Sequence, residues 1–179
     1  MLKLVRFGQE HLETTRRWLT NSARLREEID CLTAPSRLEN ETYWRAKWRD
    51  AAREDYAIVD DVAGHTGNCG LSEIDRKRRK AQLWIYLGNR EGRGIGGTAV
   101  RALMARAFDE LALERVYLRV VATNLHAYAF YKALGFVDEG RLRHDTVRGD
   151  EYVDSFLLSM LSGEFKAARF APTALTSLR

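Results

Sequence analysis

The stretch Asn89-Arg-Glu-Gly-Arg-Gly-Ile-Gly-Gly-Thr98 places four glycines, Gly92, Gly94, Gly96 and Gly97, within six residues. An apolar run with strand character, Leu83–Leu87, leads into it, and an amphipathic helical pattern leaves it. Glycines at such a strand-to-helix turn let backbone N–H groups close around an anion, and the helix start adds partial positive charge. The pattern predicts a phosphate cradle. The alternative is a structural glycine turn, which carries a large backbone entropy cost if nothing must approach the chain.

The rest of the chain supplies the elements around that turn. Leu2–Phe7 reads as a strand, and His11–Leu19 and Arg24–Ile29 as helical. Ser36 caps a helix expected to run to about Arg53, in which Leu38, Trp44, Trp48 and Ala51 make a thin apolar stripe, as in a flap rather than a core element. Tyr56–Val59 is a short strand, and Gly67–Ile74 with Ala81–Leu87 a hairpin around the basic tip Arg76-Lys-Arg-Arg-Lys80. Gly94–Leu113 carries Val100, Leu103, Met104, Ala107, Phe108 and Leu111 at helical spacing. Arg115–Val121 is a buried strand, and Asn124–Leu134 a helix with Asn124 as N-cap and Gly135 as its stop. Phe136–Val147 and Glu151–Leu161 form a second hairpin. From Ser162 the chain shows little pattern beyond Phe165 and Phe170, so that segment is expected to fray or dock loosely. This order of elements predicts an α/β fold with a mixed sheet and helices on both sides. One domain over residues 1–161 and a C-terminal tail over 162–179 are expected.

Composition narrows the setting. At 179 residues, 45% hydrophobic and 30% charged, the chain reads as one soluble globular domain. No apolar run approaches the roughly 20 residues of a membrane span. The N-terminus lacks the apolar core of a signal peptide. Cys31 and Cys69 stand far apart without metal spacing, so a reduced, cytoplasmic protein without a metal is expected. The formal charge of +4 suits a small polyanion and equally a weak nucleic-acid contact. The tip at Arg76–Lys80 reads as a solvated loop, with an RNA or acidic-partner patch as the alternative; no aromatic residue beside it offers a stacking surface.

Three glycine-loop chemistries compete. Gly92-x-Gly94-x-x-Gly97 fits the letters of a dinucleotide fingerprint, but the next strand ends Val120-Val121-Ala122 without the carboxylate that would hold a ribose. A P-loop fits worse, because Thr98-Ala99 follows Gly97 where a lysine is required. The third chemistry is signalled one strand later. Asn124-Leu-His-Ala-Tyr-Ala-Phe-Tyr131-Lys-Ala-Leu-Gly135-Phe136 resembles the second signature segment of the GNAT superfamily of acyl-CoA N-acyltransferases, and Glu91-Gly-Arg-Gly-Ile-Gly96 resembles the first. The stretches Glu139-Gly-Arg-Leu-Arg143 and Gly149-Asp-Glu-Tyr-Val-Asp154 are similar to the branch that holds RimJ/RimL-type, polyamine and amino-sugar acetyltransferases. Glu91 departs from the family pattern, which has Gln or Arg there; Arg90 and Arg93 offset its charge.

The resemblance implies a mostly antiparallel sheet of about seven strands, splayed between the fourth and fifth, and acetyl-CoA as co-substrate. Its pyrophosphate would rest on Arg90, Gly92, Arg93, Gly94, Ile95, Gly96, Gly97 and Thr98. Its pantetheine arm would lie along Ile85 and Leu87 and meet Asn124, Phe130, Tyr131 and Lys132. Tyr131 would protonate the leaving thiolate: a phenol of pKa about 10 stays protonated at neutral pH and a thiol is near 8.5. Tyr128 is the weaker substitute, and a core tyrosine the alternative reading of Tyr131. Glu73 is the candidate base, acting directly or through water, against an exposed strand carboxylate; His126 and His144 read as structural or solvated.

The acceptor is expected to be a primary amine, with a RimJ/RimL-like peptide or protein amine favoured over a polyamine or an amino sugar. A polyamine would call on acids such as Glu27, Glu28, Asp30, Glu39 and Glu41. A homodimer fits this reading; a membrane partner does not, and nucleic acid fits poorly. The alternative class is a CoA-sensing or RNA-associated module without turnover.

Overall fold

The computed structural model describes residues 1–29, 31, 33–88 and 94–169. Seven strands form one sheet in the order β1-β2-β3-β4-β5-β7-β6, comprising β1 (Leu2–Arg6), β2 (Glu54–Asp60), β3 (Gly64–Asp75), β4 (Lys80–Leu87), β5 (Arg115–Val121), β6 (Val137–Arg148) and β7 (Glu151–Leu161). Helices α1 (Leu12–Asn21), α2 (Ala23–Glu28), α3 (Arg37–Trp48), α4 (Ile95–Ala105), α5 (Leu125–Ala133) and α6 (Ser162–Arg169) flank it. The pair β4–β5 is parallel, with a ladder running only from Lys80↔Arg115 to Gln82↔Tyr117.

Two compact units are distinguished: Met1–Glu73 with Trp84–Leu103, and Ile74–Leu83 with the described residues from Met104. In the first, β1 pairs antiparallel with β2 and β2 with β3, with a bulge between Ile58 and Val59. Phe7, Leu12, Trp44 and Ala57 make a core cluster, with Val59 and Trp84 packed against it. Ser36 and Glu39 form a capping box at the start of α3: the Glu39 N–H donates to Ser36 Oγ (3.2 Å) and the Ser36 N–H to Glu39 Oε2 (2.8 Å). The helix stops at Trp48 rather than near Arg53, because Asp50 accepts the Ala52 N–H in a local turn. The flap reading of this helix is corrected by Trp44, 3% exposed and stacked on Phe7 at 4.1 Å between ring centres.

In the second unit β7 pairs antiparallel with both β5 and β6. The long helix closes with a π-helical turn over Arg106–Glu110, short of the expected Leu113. The segment from Ser162, expected to fray or dock loosely, has a helix in its described part. Residues Ser162–Arg169 are helical, Phe165 is buried, and its ring meets Phe108 at 5.4 Å. Phe170 lies outside the described residues.

Candidate active site

The donor half of the site is built on β4 and the start of α4. Ile85 and Leu87 are half-buried on β4. Gly94 has φ of +72°, a left-handed conformation that glycine adopts without strain, and among the described residues nothing lies within 4 Å of where a β-carbon would stand. Ile95 opens α4, and Thr98 closes the first turn, its N–H donating to the Gly94 carbonyl at 3.1 Å. The N–H groups ahead of Thr98 belong to the helical turn that has no intrahelical acceptors, which suits an anion. An open backbone and a helix start fit a diphosphate. Arg90, Gly92 and Arg93, together with Glu91, lie outside the described residues.

Around β4 the first unit holds a buried polar network that sequence reasoning missed. Asn68 on β3 is fully buried. Its amide donates to Thr15 Oγ1 of α1 at 2.9 Å and to the Tyr86 hydroxyl of β4 at 2.7 Å. Its Oδ1 stands 2.7 Å from His65 Nε2, which therefore carries the imidazole proton. Burial pushes the Tyr86 phenol above its ordinary pKa and pulls both His65 and His11 below theirs. The Trp18 indole lies tilted against His65, with 4.5 Å between ring centres.

The second signature segment lies on α5 in the other unit. Asn124 is the N-cap, its Oδ1 accepting the Ala127 N–H at 3.0 Å, and Gly135 stops the helix at φ of +97°. Tyr131 is buried, with Phe130 and Phe136 edge-on at 5.1 and 5.6 Å. Lys132 is exposed and Phe130 half-buried. Tyr128 donates to Asp138 at 2.7 Å, and that bond holds its phenol proton above the ordinary range.

Glu73 is exposed on β3 with φ of +52°, an uncommon conformation for a side chain of its size. His126 is exposed on α5, and the exposed His144 stacks on Tyr152 at 5.3 Å. Free cysteines occur at the half-buried Cys31 and the buried Cys69. Among the described residues no cluster of His, Cys, Asp or Glu suits a metal, and no helix is long and apolar enough to cross a membrane.

Several charged surface groups are paired locally. At the hairpin tip Arg78 pairs with Asp75 at 2.9 Å, Arg79 donates to the Ala112 carbonyl at 2.8 Å, and Lys80 lies over the Tyr117 ring at 5.9 Å. Glu28 faces Arg24 at 3.5 Å, Glu39 is spent on the α3 cap, and Glu41 pairs with Arg45 at 2.8 Å. Asp30 lies outside the described residues. A cavity of about 150 Å³ beside α1 and α3 is lined by Glu13 and Glu41 but equally by Arg16 and Arg37. It is smaller than the roughly 300–1,000 Å³ of a ligand pocket.

Residues 1–137 match the model of the acetyltransferase (GNAT) domain family. The chain belongs to the GNAT acetyltransferase family. Among curated relatives of this GNAT chain, the putative ribosomal N-acetyltransferase YdaF of Bacillus subtilis is 28% identical over 127 residues, covering 70% of this chain and 69% of the relative. Spermidine N(1)-acetyltransferase of Escherichia coli is 28% identical over 116 residues, covering 64% and 62%. The aligned stretches thus span about two thirds of each relative's length. Among solved structures, spermidine N-acetyltransferase from Vibrio cholerae in complex with CoA and spermine superposes with a TM-score of 0.85 at 23% identity, covering 92% of this chain and 98% of the other. That likeness establishes the mixed seven-stranded GNAT fold. Acetyl-CoA is the donor that the family uses.

Proposed function

We propose that this GNAT domain transfers the acetyl group of acetyl-CoA to the primary amine of a peptide or protein. The open left-handed turn at Gly94 running into α4 carries the donor half of this reading. The pyrophosphate rests on the backbone N–H groups ahead of Thr98, from Gly94 to Gly97, with Thr98 closing the turn, together with Arg90, Gly92 and Arg93. The pantetheine arm follows Ile85 and Leu87, with Asn124, Phe130, Tyr131 and Lys132 meeting it from α5. A strand N–H near Leu87 donates to the thioester oxygen, where negative charge grows during transfer.

The amine attacks in its neutral form, the carbon–sulfur bond breaks, and one proton must leave the nitrogen while another reaches the sulfur. Tyr131 supplies the proton to the thiolate, and its buried ring, wedged between Phe130 and Phe136, orients the hydroxyl. Glu73 is the carboxylate assigned to the amine proton, through water.

The acceptor assignment rests on charge. A polycation needs unspent acids, whereas Glu28, Glu39 and Glu41 are paired or capped locally. The kinship with YdaF supports a peptide or protein amine. The kinship with a spermidine acetyltransferase favours the second reading, a polyamine acceptor. A competition between an N-terminally free peptide and spermidine at equal concentration decides. A kcat/KM at least tenfold higher for the peptide is expected, and the reverse ratio establishes the polyamine.

A further inference from the structure

We propose that Asn68 is a positioning residue for acetyl transfer, holding Tyr86 of β4 and Thr15 of α1 as one unit beside the strand that carries the thioester. The inference rests on the donor reading above. Asn68 lies on β3 with no exposure, and its amide is committed on three sides, accepting from His65 and donating to Thr15 and to Tyr86. Those two acceptors are 53 and 18 residues away in sequence, so one side chain ties α1, β3 and β4 together.

The tie falls beside the residues assigned to the pantetheine arm. At the neighbouring Gly67, a β-carbon would stand 2.6 Å from the Tyr86 carbonyl oxygen and 2.8 Å from Leu87 Cδ2. The backbone of β3 is therefore flush against β4 at the same point where Asn68 grips the Tyr86 hydroxyl. Tyr86 sits between Ile85 and Leu87, and anchoring its phenol fixes the backbone of both neighbours. The N–H that faces the thioester oxygen takes its direction from that backbone, and a misplacement of about 1 Å in such a donor costs on the order of 100-fold in rate. Tyr86→Phe keeps the ring and loses the anchor.

Steady-state kinetics and calorimetric acetyl-CoA binding on the full chain, well below its melting temperature, test this. Tyr86→Phe and Asn68→Ala are each expected to lower kcat about tenfold or more, with acetyl-CoA affinity within about threefold of the parent. Thr15→Val is expected to do the same, whereas Thr15→Ser keeps the hydroxyl and restores the rate. The double variant Asn68→Ala/Tyr86→Phe is expected to be no slower than the slower single variant, because both remove one tie. A merely structural network lowers the melting temperature and leaves kcat at the lower temperature untouched. A folded Tyr86→Phe with unchanged kcat overturns the proposal, as does a rate loss fully explained by weaker acetyl-CoA binding. Should Asn68→Ala fail to fold, Tyr86→Phe and the Thr15 pair give the decision. A parent protein that does not bind acetyl-CoA contradicts the donor reading itself, and that result is visible before any variant is made.

Discussion

The indole of Trp18 lies against Gly88 so closely that a β-carbon on residue 88 would stand 1.8 Å from Trp18 Cδ2. The contact pins α1 to the residue that follows β4. Both sides are held: the Gly88 N–H donates to the Thr66 carbonyl at 3.0 Å, and the half-buried indole lies tilted against His65. Gly88→Ala is therefore expected to lower unfolding free energy by about 1–3 kcal/mol, the usual cost of overpacking. Adding Trp18→Ala should recover part of that loss, since the two changes share one contact. Urea melts of the three variants measure it. Strictly additive losses would mean that the ring and the glycine do not compete for one space.

Tyr131→Phe is expected to keep the fold, because the ring contacts with Phe130 and Phe136 need no hydroxyl. If Tyr131 protonates the thiolate, kcat falls about 100-fold or more while acetyl-CoA affinity stays put. Undiminished turnover removes Tyr131 from the acid role.

Stability should fall as the solution is acidified from pH 7 to 5. Burial holds His65 and His11 below the ordinary imidazole pKa of about 6.5, so the folded chain resists protons that the unfolded chain accepts. The stabilisation is fully present above that ordinary value and is lost as pH drops through it towards the lowered native values. Replacing His65 with Gln should flatten this part of the profile in denaturant titrations between pH 5 and 7.5. An equally steep profile in that variant would place the pH dependence elsewhere.

Much of the fold follows from local signals. Arg115–Val121 is a strand with the expected ends, and Asn124 and Gly135 bound α5 as cap and stop. Those signals are local chemistry, a β-branched run, an amide acceptor and a residue free to turn left-handed. What escaped depends on partners distant in sequence. Phe165 looks isolated among Glu164, Lys166 and small residues, and its burial against partners such as Phe108 is what makes it a core residue. Asn68, set between glycines and a cysteine, reads as a weak strand position until Thr15 and Tyr86 are seen against it. On the donor side, the α5 segment is bounded by the expected cap and stop, and the glycine turn leads into α4 at Ile95 as its spacing predicts. The acceptor side was not legible, because paired and unpaired carboxylates look alike in a sequence.

The docking of α6 gives its own test. Phe165→Ala removes a buried ring that meets Phe108, and a loss of about 3 kcal/mol or more in unfolding free energy is expected. A change below about 0.5 kcal/mol, the range of ordinary surface substitutions, would mean that α6 adds nothing to the core.

The assignment as a working acetyltransferase is tested most directly by thiol release from acetyl-CoA with and without an N-terminally free peptide, with the product weighed by mass spectrometry. The expected result is peptide-dependent release of CoA in step with a peptide heavier by one acetyl group. Absence of acetyl-CoA binding, or CoA release that yields no acetylated amine from any acceptor offered, would contradict it.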